Sequence, residues 1–356
     1  MFVKVLHCIH SLSSGGAERQ VKLLAEISHQ VGIESAIFCV NDRNTKLGDG
    51  SIPLYRSKCQ GKYNLGVFGS ILHSIEDFSP DVVHAWLPAS ITIPAMVASK
   101  LKGVPSVFSY RNAMRFHRPL TVPEYLTALF LSKRVTSNSS VEMSTLLYRY
   151  LYGLKRGVEI GNAVHVDKKY WKKDRAFAGK SRFKGIFVGR LTKQKNWQSL
   201  LRAFEYLDDK DKWELLLCGD GEDRAKVDRT IHDLGLEDQV KVLGYQDNVY
   251  PLMQQADVLI LPSWYEGMPN VFLEALKIGL PTIVSDIAAH ASIIGDSSCA
   301  LKVPPDSPRE IARALDRLVV NSDLVQDLVA AGSKVVEVHT LERMGAAYAA
   351  FYSSIS

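Results

Sequence analysis

The sequence predicts an α/β fold made of two Rossmann-like domains. Short apolar runs alternate with longer segments of helical periodicity, first over residues 3–109 and again over residues 185–285. A charged stretch with few apolar residues, 167–184, separates the two series. Alternation of this kind is typical of a parallel sheet with helices on both faces. A chain of 356 residues is also long enough to bury two separate cores.

The period of the apolar residues predicts the individual elements. In the first series, strands are expected at 3–9, 35–40, 82–85 and 106–109, and helices at 17–31, 67–78 and 91–101. In the second, strands are expected at 185–188, 213–218, 240–243, 258–261 and 282–285. Helices are expected at 197–207, 224–234 and 249–255, between Pro269 and Gly279, and at 341–352. We place the domains at 1–165 and 166–335, with a hinge in 161–180 and a final segment at 336–356.

Charge is distributed unevenly between the two domains. The net charge of +5 divides into +7 for residues 1–165 and −2 for residues 166–356. A basic first domain could meet anionic lipid headgroups, lipid pyrophosphates or nucleic acid. Neither a removable signal sequence nor an apolar run of about 18 residues is present. We therefore expect a cytoplasmic protein, free or peripheral at the inner face of the cell membrane. The five cysteines lack metal-type spacing and are expected to be reduced core thiols.

Two carboxylates flank the start of a predicted helix, directly after an apolar strand. Glu266 is in the loop and Glu274 just inside the helix. Pro269 is expected at the first helical position, where its missing N–H is tolerated, and Gly279 ends the helix. The free amides of a first helical turn attract anions, and carboxylates accept hydrogen bonds from paired sugar hydroxyls. The pattern predicts a site for an anionic, hydroxyl-rich ligand; the alternative is a pair of surface glutamates.

Two further loops at predicted strand ends carry groups suited to phosphate. Gly15 and Gly16 follow the first strand, where glycines let the backbone approach a phosphate closely. The alternative is an ordinary strand-to-helix turn, and the missing third glycine of the dinucleotide fingerprint argues against a dehydrogenase. Arg190 follows a second-domain strand, and Lys195 lies near the next helix. Cations there would stabilise negative charge that develops on a phosphate group, although solvated surface side chains are the alternative. Arg190 and Lys195 are therefore candidate catalytic residues, together with the loop carboxylate of Glu266.

Four motifs occur in this order along the chain: Gly15-Gly16-Ala17-Glu18-Arg19, Val188-Gly189-Arg190-Leu191 with Lys195-Asn196, Gly219-Asp220-Gly221, and the segment from Glu266 to Glu274. Together they resemble the nucleotide-sugar glycosyltransferases of the GT-B fold, in particular the large retaining group numbered four. The resemblance covers nearly the whole chain. It implies two Rossmann-like domains facing a central cleft, with a C-terminal helix that crosses back to the first domain.

The resemblance also implies roles for single residues. Arg190 and Lys195 would contact the donor diphosphate, Glu266 the sugar hydroxyls and Glu274 the ribose hydroxyls. Because the two cations can neutralise the diphosphate, and no Asp-x-Asp pair stands at a strand end, no metal and no other cofactor is expected. The other residues expected to hold the donor are Gly15, Gly16, Gly189, Gly267, Met268 and Asn270, with Gly244 and Tyr245 near the base.

The first domain is expected to supply the acceptor site. His84 ends a predicted strand and either faces the cleft or is a packed, hydrogen-bonded residue. Many relatives carry a histidine at the end of the next strand, but here that segment contains Arg111 instead, so no catalytic histidine is carried over. Arg111 is a candidate contact for the sugar or an acceptor phosphate. Basic and apolar residues interleave over 111–134, which predicts either docking on anionic lipid or an ordinary amphipathic helix packed on its own domain.

The sequence thus predicts a metal-independent retaining glycosyltransferase that moves a hexose or N-acetylhexosamine from a nucleotide diphosphosugar, with UDP the expected carrier. The expected acceptor is a glycan or a pyrophosphate-linked lipid in surface polysaccharide, lipopolysaccharide or O-antigen synthesis. The resemblance implies front-face attack without an enzymatic nucleophile. One alternative is a sugar-nucleotide epimerase on the same fold, which would need acid and base side chains around the sugar. Another is a nucleic-acid-binding protein, which the negative charge of the second domain opposes.

Overall fold

The computed structural model describes residues 2–12, 15–41, 50–57, 59, 64–87, 91–111, 121–139, 153–154, 157–171, 177 and 179–355. The chain divides into two compact units. Unit 1 comprises Met1–Ala163 and Thr340–Ser356, and unit 2 comprises Val164–His339. These divisions lie within a few residues of those expected at 165 and 335.

The described part of unit 1 forms one sheet of parallel strands with helices on both faces. Its strands lie in the order β3-β2-β1-β4-β5-β6-β7, and every neighbouring pair is parallel. Alternate residues of β1 enter two different apolar clusters, Val5 on one face and Leu6 on the other. The elements are β1 (Val3–Ser11), α1 (Gly16–Ser28), β2 (Ile33–Asn41), β3 (Leu54–Arg56), α2 (Leu65–Phe78), β4 (Val82–Trp86), α3 (Thr92–Leu101), β5 (Ser106–Tyr110), α4 (Thr121–Leu131), β6 (Arg134–Ser137) and β7 (Val158–Glu159).

Unit 2 repeats this plan. Its strands lie in the order β10-β9-β8-β11-β12-β13 and are also all parallel. Neighbouring residues of β8 again alternate between two cores, Phe187 in one and Ile186 in the other. The elements are β8 (Phe183–Val188), α5 (Trp197–Ala203), β9 (Trp213–Cys218), α6 (Arg224–Asp233), β10 (Val240–Gly244), α7 (Tyr250–Gln255), β11 (Val258–Leu261), α8 (Asn270–Ile278), β12 (Thr282–Ser285), α9 (Ala288–Ile294), β13 (Leu301–Val303), α10 (Pro308–Val320) and α11 (Ser322–Val335).

Both sheets reverse their strand order beside the first strand of the unit. The reversal lies between β1 and β4 in unit 1 and between β8 and β11 in unit 2. At such a switch point the loops after the two strands diverge to opposite faces, which leaves a crevice at the carboxyl edge of the sheet. In unit 2 the two diverging loops are those that carry Arg190 with Lys195 and Glu266.

The start of α8 differs by one residue from the expectation. Pro269 has an extended backbone and occupies the N-cap, so the helix begins at Asn270 rather than at the proline. At the other end Gly279 adopts φ +75° and caps the helix, as expected for a glycine in the left-handed conformation. Glu274 is therefore the fifth residue of α8, and its side chain is buried.

The last helix, α12 (Leu341–Ser353), packs against unit 1, as the sequence resemblance implied. Two of its tyrosines enter the core of that unit, where Tyr352 OH lies 2.6 Å from Nδ1 of His84. The other ring nitrogen of His84 lies 2.6 Å from Ser109 Oγ on β5. His7, on β1, hydrogen-bonds Ser35 Oγ at 3.2 Å and accepts from Trp86 Nε1 at 3.2 Å. His84 thus links β4 to β5 and to α12, whereas His7 links β1 to β2 and β4.

The α/β class and the two parallel sheets predicted from the sequence are confirmed. The short strands β3, β6, β7 and β13 and the helices α9, α10 and α11 were not predicted, and α4 lies within 111–134, where an amphipathic helix was one of two alternatives. Among the described residues, no helix combines the length and the apolar character needed to cross a bilayer.

Because His7 and His84 are buried, we expect unit 1 to lose stability in acid. Burial lowers the pKa of His7 from 6.5 to about 3 and that of His84 well below 6.5. The native state keeps both rings neutral, whereas the unfolded chain takes up protons below pH 6.5, so stability is lost as the pH falls. Each of the two groups should remove about 1.4 kcal/mol of unfolding free energy per pH unit below about pH 6.5, until the pH reaches its native pKa.

Urea unfolding at several pH values measures this loss. His84→Gln keeps a polar side chain but cannot titrate, so the loss of stability per pH unit should be smaller than in the wild type. His73, which lies on the surface of α2, supplies the control variant His73→Gln. An acid loss that is the same in His84→Gln and in the wild type would contradict the prediction.

Candidate functional site

Two backbone segments at the carboxyl edge of the unit 2 sheet, the loop after β8 and the turn after β9, pack so closely that only glycine fits between them. Gly189 follows β8, and its N–H donates to Cys218 O at 3.0 Å. Gly219 has φ +151°, and a Cβ built on it would lie 1.9 Å from the carbonyl oxygen of Gly189. A Cβ on Gly221 would lie 2.4 Å from Leu191 O. The 219–221 turn predicted from the sequence therefore supports the loop that carries Arg190.

The loop after β8 is hydrogen-bonded to the loop after β11. Asn196 adopts a left-handed conformation with φ +53° and donates from Nδ2 to Pro262 O at 2.9 Å. Gln194 O accepts from the N–H of Trp264 at 2.9 Å, and Gln194 Nε2 donates to Tyr265 O at 2.9 Å. These bonds fix the relative positions of Lys195 and Glu266, which lie on the two loops.

Lys195 and Glu266 form a buried ion pair. Lys195 Nζ lies 2.5 Å from Glu266 Oε1, with only 14% and 8% of the two side chains exposed. Ser263 Oγ donates to the same oxygen at 2.7 Å. Glu266 Oε2, in contrast, accepts no hydrogen bond from any residue that the structure describes. One oxygen is thus held by the protein, and the other is left to accept a hydrogen bond from a ligand.

The ion pair keeps Glu266 charged. Burial by itself would raise the pKa of Glu266, but the charge of Lys195 and the hydrogen bonds from Lys195 and Ser263 outweigh it and lower the pKa below 4.5. An ionised carboxylate is a stronger hydrogen-bond acceptor than a neutral acid. The site therefore presents a charged acceptor at neutral pH.

Arg190 is a second cation, in the same loop as Lys195. Its side chain is exposed, and the ion pairs found within the described ranges do not include it. The exposed guanidinium is therefore available to an anion from solution. Glu274 lies further along, on α8, and is buried.

The other residues expected to bind the donor are spread over several loops. In unit 2, Gly267 is buried, Met268 is half-buried, and Asn270 begins α8. Gly244 ends the edge strand β10 with φ +69° and accepts from Gly219 N–H at 2.7 Å, and the next side chain, Tyr245, is 53% exposed. Gly15 and Gly16 belong to unit 1.

The N-terminus of α1 has an acidic side chain of its own. Gly15 is the N-cap and Gly16 the first residue of the helix, as expected. A Cβ on Gly15 would lie 1.9 Å from Oε2 of Glu18, so the Glu18 carboxylate lies against the glycine. In this conformation a phosphate at Gly15 would meet a like charge, and the role of the two glycines stays a prediction.

The two acceptor-side candidates, His84 and Arg111, are both buried inside unit 1. Both ring nitrogens of His84 have hydrogen-bond partners, which favours the packed alternative for this residue. Arg111 stacks over Trp86 at 4.3 Å, donates to Asn162 Oδ1 at 2.7 Å and contacts Tyr348 OH. The expected contact of these two side chains with an acceptor gains no support from this geometry.

Much of the basic segment lies outside the described residues. Residues 112–120 are not among them, so Arg115 and Arg118 are not placed. Of the cations that are described, Lys133 donates to Ile355 O at 2.6 Å, and Arg134 lies 5.0 Å from the Phe351 ring. These two residues hold the end of the chain against β6.

Three residues that hold the Glu266 loop were not predicted from the sequence: Ser263, Ser285 and His290. Ser285 Oγ donates to Ser263 O at 2.6 Å, and His290 Nδ1 lies 2.8 Å from Ser285 O. All three side chains are buried. A signal was present, since Ser285 is a polar residue at the end of an apolar strand, but its partner could not be deduced from spacing.

No group of three or more His, Cys, Asp or Glu side chains suited to a metal ion occurs within the described ranges. Metal independence itself stays a prediction.

Family models match both parts of the chain. The model described as "Glycosyltransferase Family 4" matches residues 14–168, and the model described as "Glycosyl transferases group 1" matches residues 169–335. The boundary between the two matches lies close to the division between unit 1 and unit 2.

Relatives match over almost the whole chain. The lipopolysaccharide core biosynthesis glycosyltransferase LpsD of Rhizobium meliloti (strain 1021) is 26% identical over 359 residues, which cover 96% of this chain and 95% of LpsD. A Campylobacter jejuni enzyme, N-acetylgalactosamine-N,N'-diacetylbacillosaminyl-diphospho-undecaprenol 4-alpha-N-acetylgalactosaminyltransferase, is 25% identical over 350 residues, or 89% of this chain and 90% of that one.

The fold is shared with a solved structure. The crystal structure of Anabaena Alr3699/HepE in complex with UDP and glucose superposes with a TM-score of 0.80 at 17% identity and covers 99% of this chain and 100% of that one. Together with the family matches and the two parallel sheets, this similarity identifies the chain as a member of the glycosyltransferases of family 4 type, an enzyme of the GT-B fold.

Proposed function

We propose that this enzyme transfers a hexose or N-acetylhexosamine from a UDP-sugar, with retention, to a glycan or lipid-linked acceptor in the synthesis of lipopolysaccharide or another surface polysaccharide. The names of the relatives support this class of product, because LpsD acts in lipopolysaccharide core biosynthesis and the Campylobacter enzyme has a diphospho-undecaprenol in its name. UDP is supported as the carrier by its presence in the HepE structure.

The observation that carries the proposal is the asymmetric environment of Glu266. Its Oε1 is held by Lys195 and Ser263, whereas Oε2 has no partner among the described residues. A hexose offers hydroxyl donors, and an ionised carboxylate is a strong acceptor for them. Glu266 is therefore proposed to bind a hydroxyl of the donor sugar through Oε2.

The cations are proposed to stabilise the departing nucleoside diphosphate. As the glycosidic bond breaks, negative charge increases on the diphosphate, and fixed cations stabilise this state more than the ground state. Arg190 can grip two phosphate oxygens through its guanidinium. Lys195 can approach a phosphate from its place beside Glu266 and contribute a compact charge. Glu274 is proposed to bind the ribose hydroxyls.

The acceptor is proposed to reach the enzyme at the cytoplasmic face of the membrane. The excess of positive charge in residues 1–165 suits a pyrophosphate-linked lipid in an anionic leaflet. A nucleic acid is not the expected ligand of this basic region, because residues 166–356 carry a net negative charge that would repel it. We propose that no nucleic acid is bound.

The two glutamates should differ in what their removal changes. Glu274→Ala should weaken UDP binding roughly 10-fold or more, because a hydrogen bond to a charged group contributes about 1.5–3 kcal/mol. Glu266→Ala should leave UDP affinity almost unchanged but reduce discrimination between a UDP-sugar and its epimers. Thermal shift measures binding, since ligand at a hundredfold its Kd adds about 2.7 kcal/mol of stability.

Control variants separate these effects from loss of fold. Glu274→Gln and Glu266→Gln keep the shape of each side chain while removing its charge. Glu205→Ala removes an exposed glutamate of unit 2 and should alter neither measurement. A larger loss of UDP affinity in Glu266→Ala than in Glu274→Ala would overturn the assignment of the two roles.

Metal independence has its own test. If Arg190 and Lys195 neutralise the leaving diphosphate, transfer from the UDP-sugar should continue at its full rate in excess EDTA. Adding Mg²⁺ or Mn²⁺ should not raise the rate. Loss of transfer in EDTA that is restored by one of these ions would contradict the proposal, because the ion would then be supplying the charge.

A further inference from the structure

Lys195 and Ser263 both hydrogen-bond Glu266 Oε1, and different parts of the structure hold each of them in place. Lys195 reaches it from the loop after β8, which is hydrogen-bonded to the loop after β11. Ser263 reaches it at 2.7 Å from within the same loop as Glu266. Because a serine hydroxyl rotates freely unless its backbone and partner are fixed, the direction of this second bond depends on what holds Ser263.

Ser263 is held by the strand next to its own. Ser285 Oγ, at the end of β12, donates to Ser263 O at 2.6 Å, and both residues are fully buried. The bond joins the loop after β11 to the end of β12, the neighbouring strand in the sheet. The position of Ser263 therefore depends on Ser285.

Ser285 is held in turn by His290. The imidazole Nδ1 lies 2.8 Å from Ser285 O and 3.3 Å from Ser285 Oγ. A carbonyl oxygen can only accept, so Nδ1 must carry the proton and the tautomer is fixed. Nε2 then has only a lone pair, and it is buried with no hydrogen-bond partner among the described residues. Burial lowers the pKa of His290, which keeps the ring neutral at pH 7.

The hydrogen bonds from His290 to Glu266 all run in one direction. Nδ1–H donates to Ser285, Ser285 Oγ–H to Ser263, and Ser263 Oγ–H to the carboxylate. Each donor has the acceptor that it requires. Because each serine accepts through its backbone carbonyl and donates through its hydroxyl, these bonds fix the positions of both serines. A chain of donors directed at an ionised carboxylate suits a role in orienting it.

Packing alone does not account for an imidazole at this place. His290 meets Phe272 edge to face, with ring centroids 5.7 Å apart, a contact that an apolar side chain could also make. An apolar residue would in addition avoid burying the unpartnered Nε2. An apolar residue could not donate the hydrogen bond that Nδ1–H gives to Ser285 O.

We propose that His290 is a positioning residue for sugar transfer, acting through Ser285 and Ser263 to hold Glu266 so that Oε2 meets one hydroxyl of the donor sugar. The inference rests on the proposed function, because it concerns the same carboxylate. His290 itself touches neither the sugar nor the diphosphate. Its loss should therefore alter turnover and sugar discrimination without altering the affinity for UDP.

The test compares His290→Leu with His290→Asn in the full-length enzyme. The amide N–H of asparagine can take the place of Nδ1–H, whereas leucine has no donor. His290→Leu should lower kcat and reduce discrimination between a UDP-sugar and its epimers by roughly 10-fold, the order expected for one hydrogen bond to a charged group. His290→Asn should recover most of both, and the Kd for UDP should be unchanged in each variant.

A double-mutant cycle with Glu266→Ala separates positioning from a general structural effect. If His290 acts through Glu266, His290→Leu should have no further effect on discrimination once the carboxylate is gone. Equal losses in the two backgrounds, or no loss in the wild-type background, would overturn the inference. If Glu266→Ala itself leaves discrimination intact, the proposed function of Glu266 fails, and the inference fails with it.

A second variant keeps the test valid if His290→Leu does not fold. Ser263→Ala removes only the hydroxyl that contacts Glu266 and leaves the backbone carbonyl that Ser285 bonds. It should reproduce the loss of discrimination with UDP affinity unchanged. Wild-type discrimination in Ser263→Ala would overturn the inference.

Discussion

The ion pair between Lys195 and Glu266 is the interaction on which the site depends. Two charges that are this little exposed lose most of their hydration, and they persist only because they meet at 2.5 Å. Removing one partner of such a pair leaves a buried charge uncompensated, at a cost of about 3–5 kcal/mol. The hydrogen bonds of Gln194 and Asn196 to the facing loop serve this contact, because they fix the two loops that carry the charges.

The pair can form at this place because of the order of the strands. β8 and β11 are neighbours, yet the chain leaves them toward opposite faces of the sheet, so their loops border one crevice. The glycine at 219 then lets a third segment approach the backbone of Gly189, where any side chain would collide. Strand order brings the loops after β8 and β11 together. Because Gly219 has no Cβ, the turn after β9 packs against the loop after β8 without displacing Arg190. The strand order of unit 1 reverses in the same way, between β1 and β4.

Sequence reasoning predicted those parts of the fold whose signal is local. The central strands are continuous apolar runs, which made them predictable. Lys195 and Glu266 could be proposed as site residues because each lies in the loop after one of these strands. The short strands β3, β7 and β13 have two or three residues each, too few for a period to appear. The surroundings of His84 could not be predicted, because its partner Tyr352 is 268 residues away in the sequence. The chain from His290 through Ser285 to Ser263 likewise joins separate segments, and nothing in local spacing identifies it. The helix α10, in contrast, was predictable, since Ile311, Leu315 and Leu318 follow a helical period.

A crystal structure of the enzyme with an intact UDP-sugar tests the central claim most directly. The account predicts a hydroxyl of the sugar within about 2.6–3.0 Å of Glu266 Oε2, with Oε1 still bound to Lys195 and the diphosphate beside Arg190. A sugar whose hydroxyls contact neither oxygen of Glu266 would contradict it.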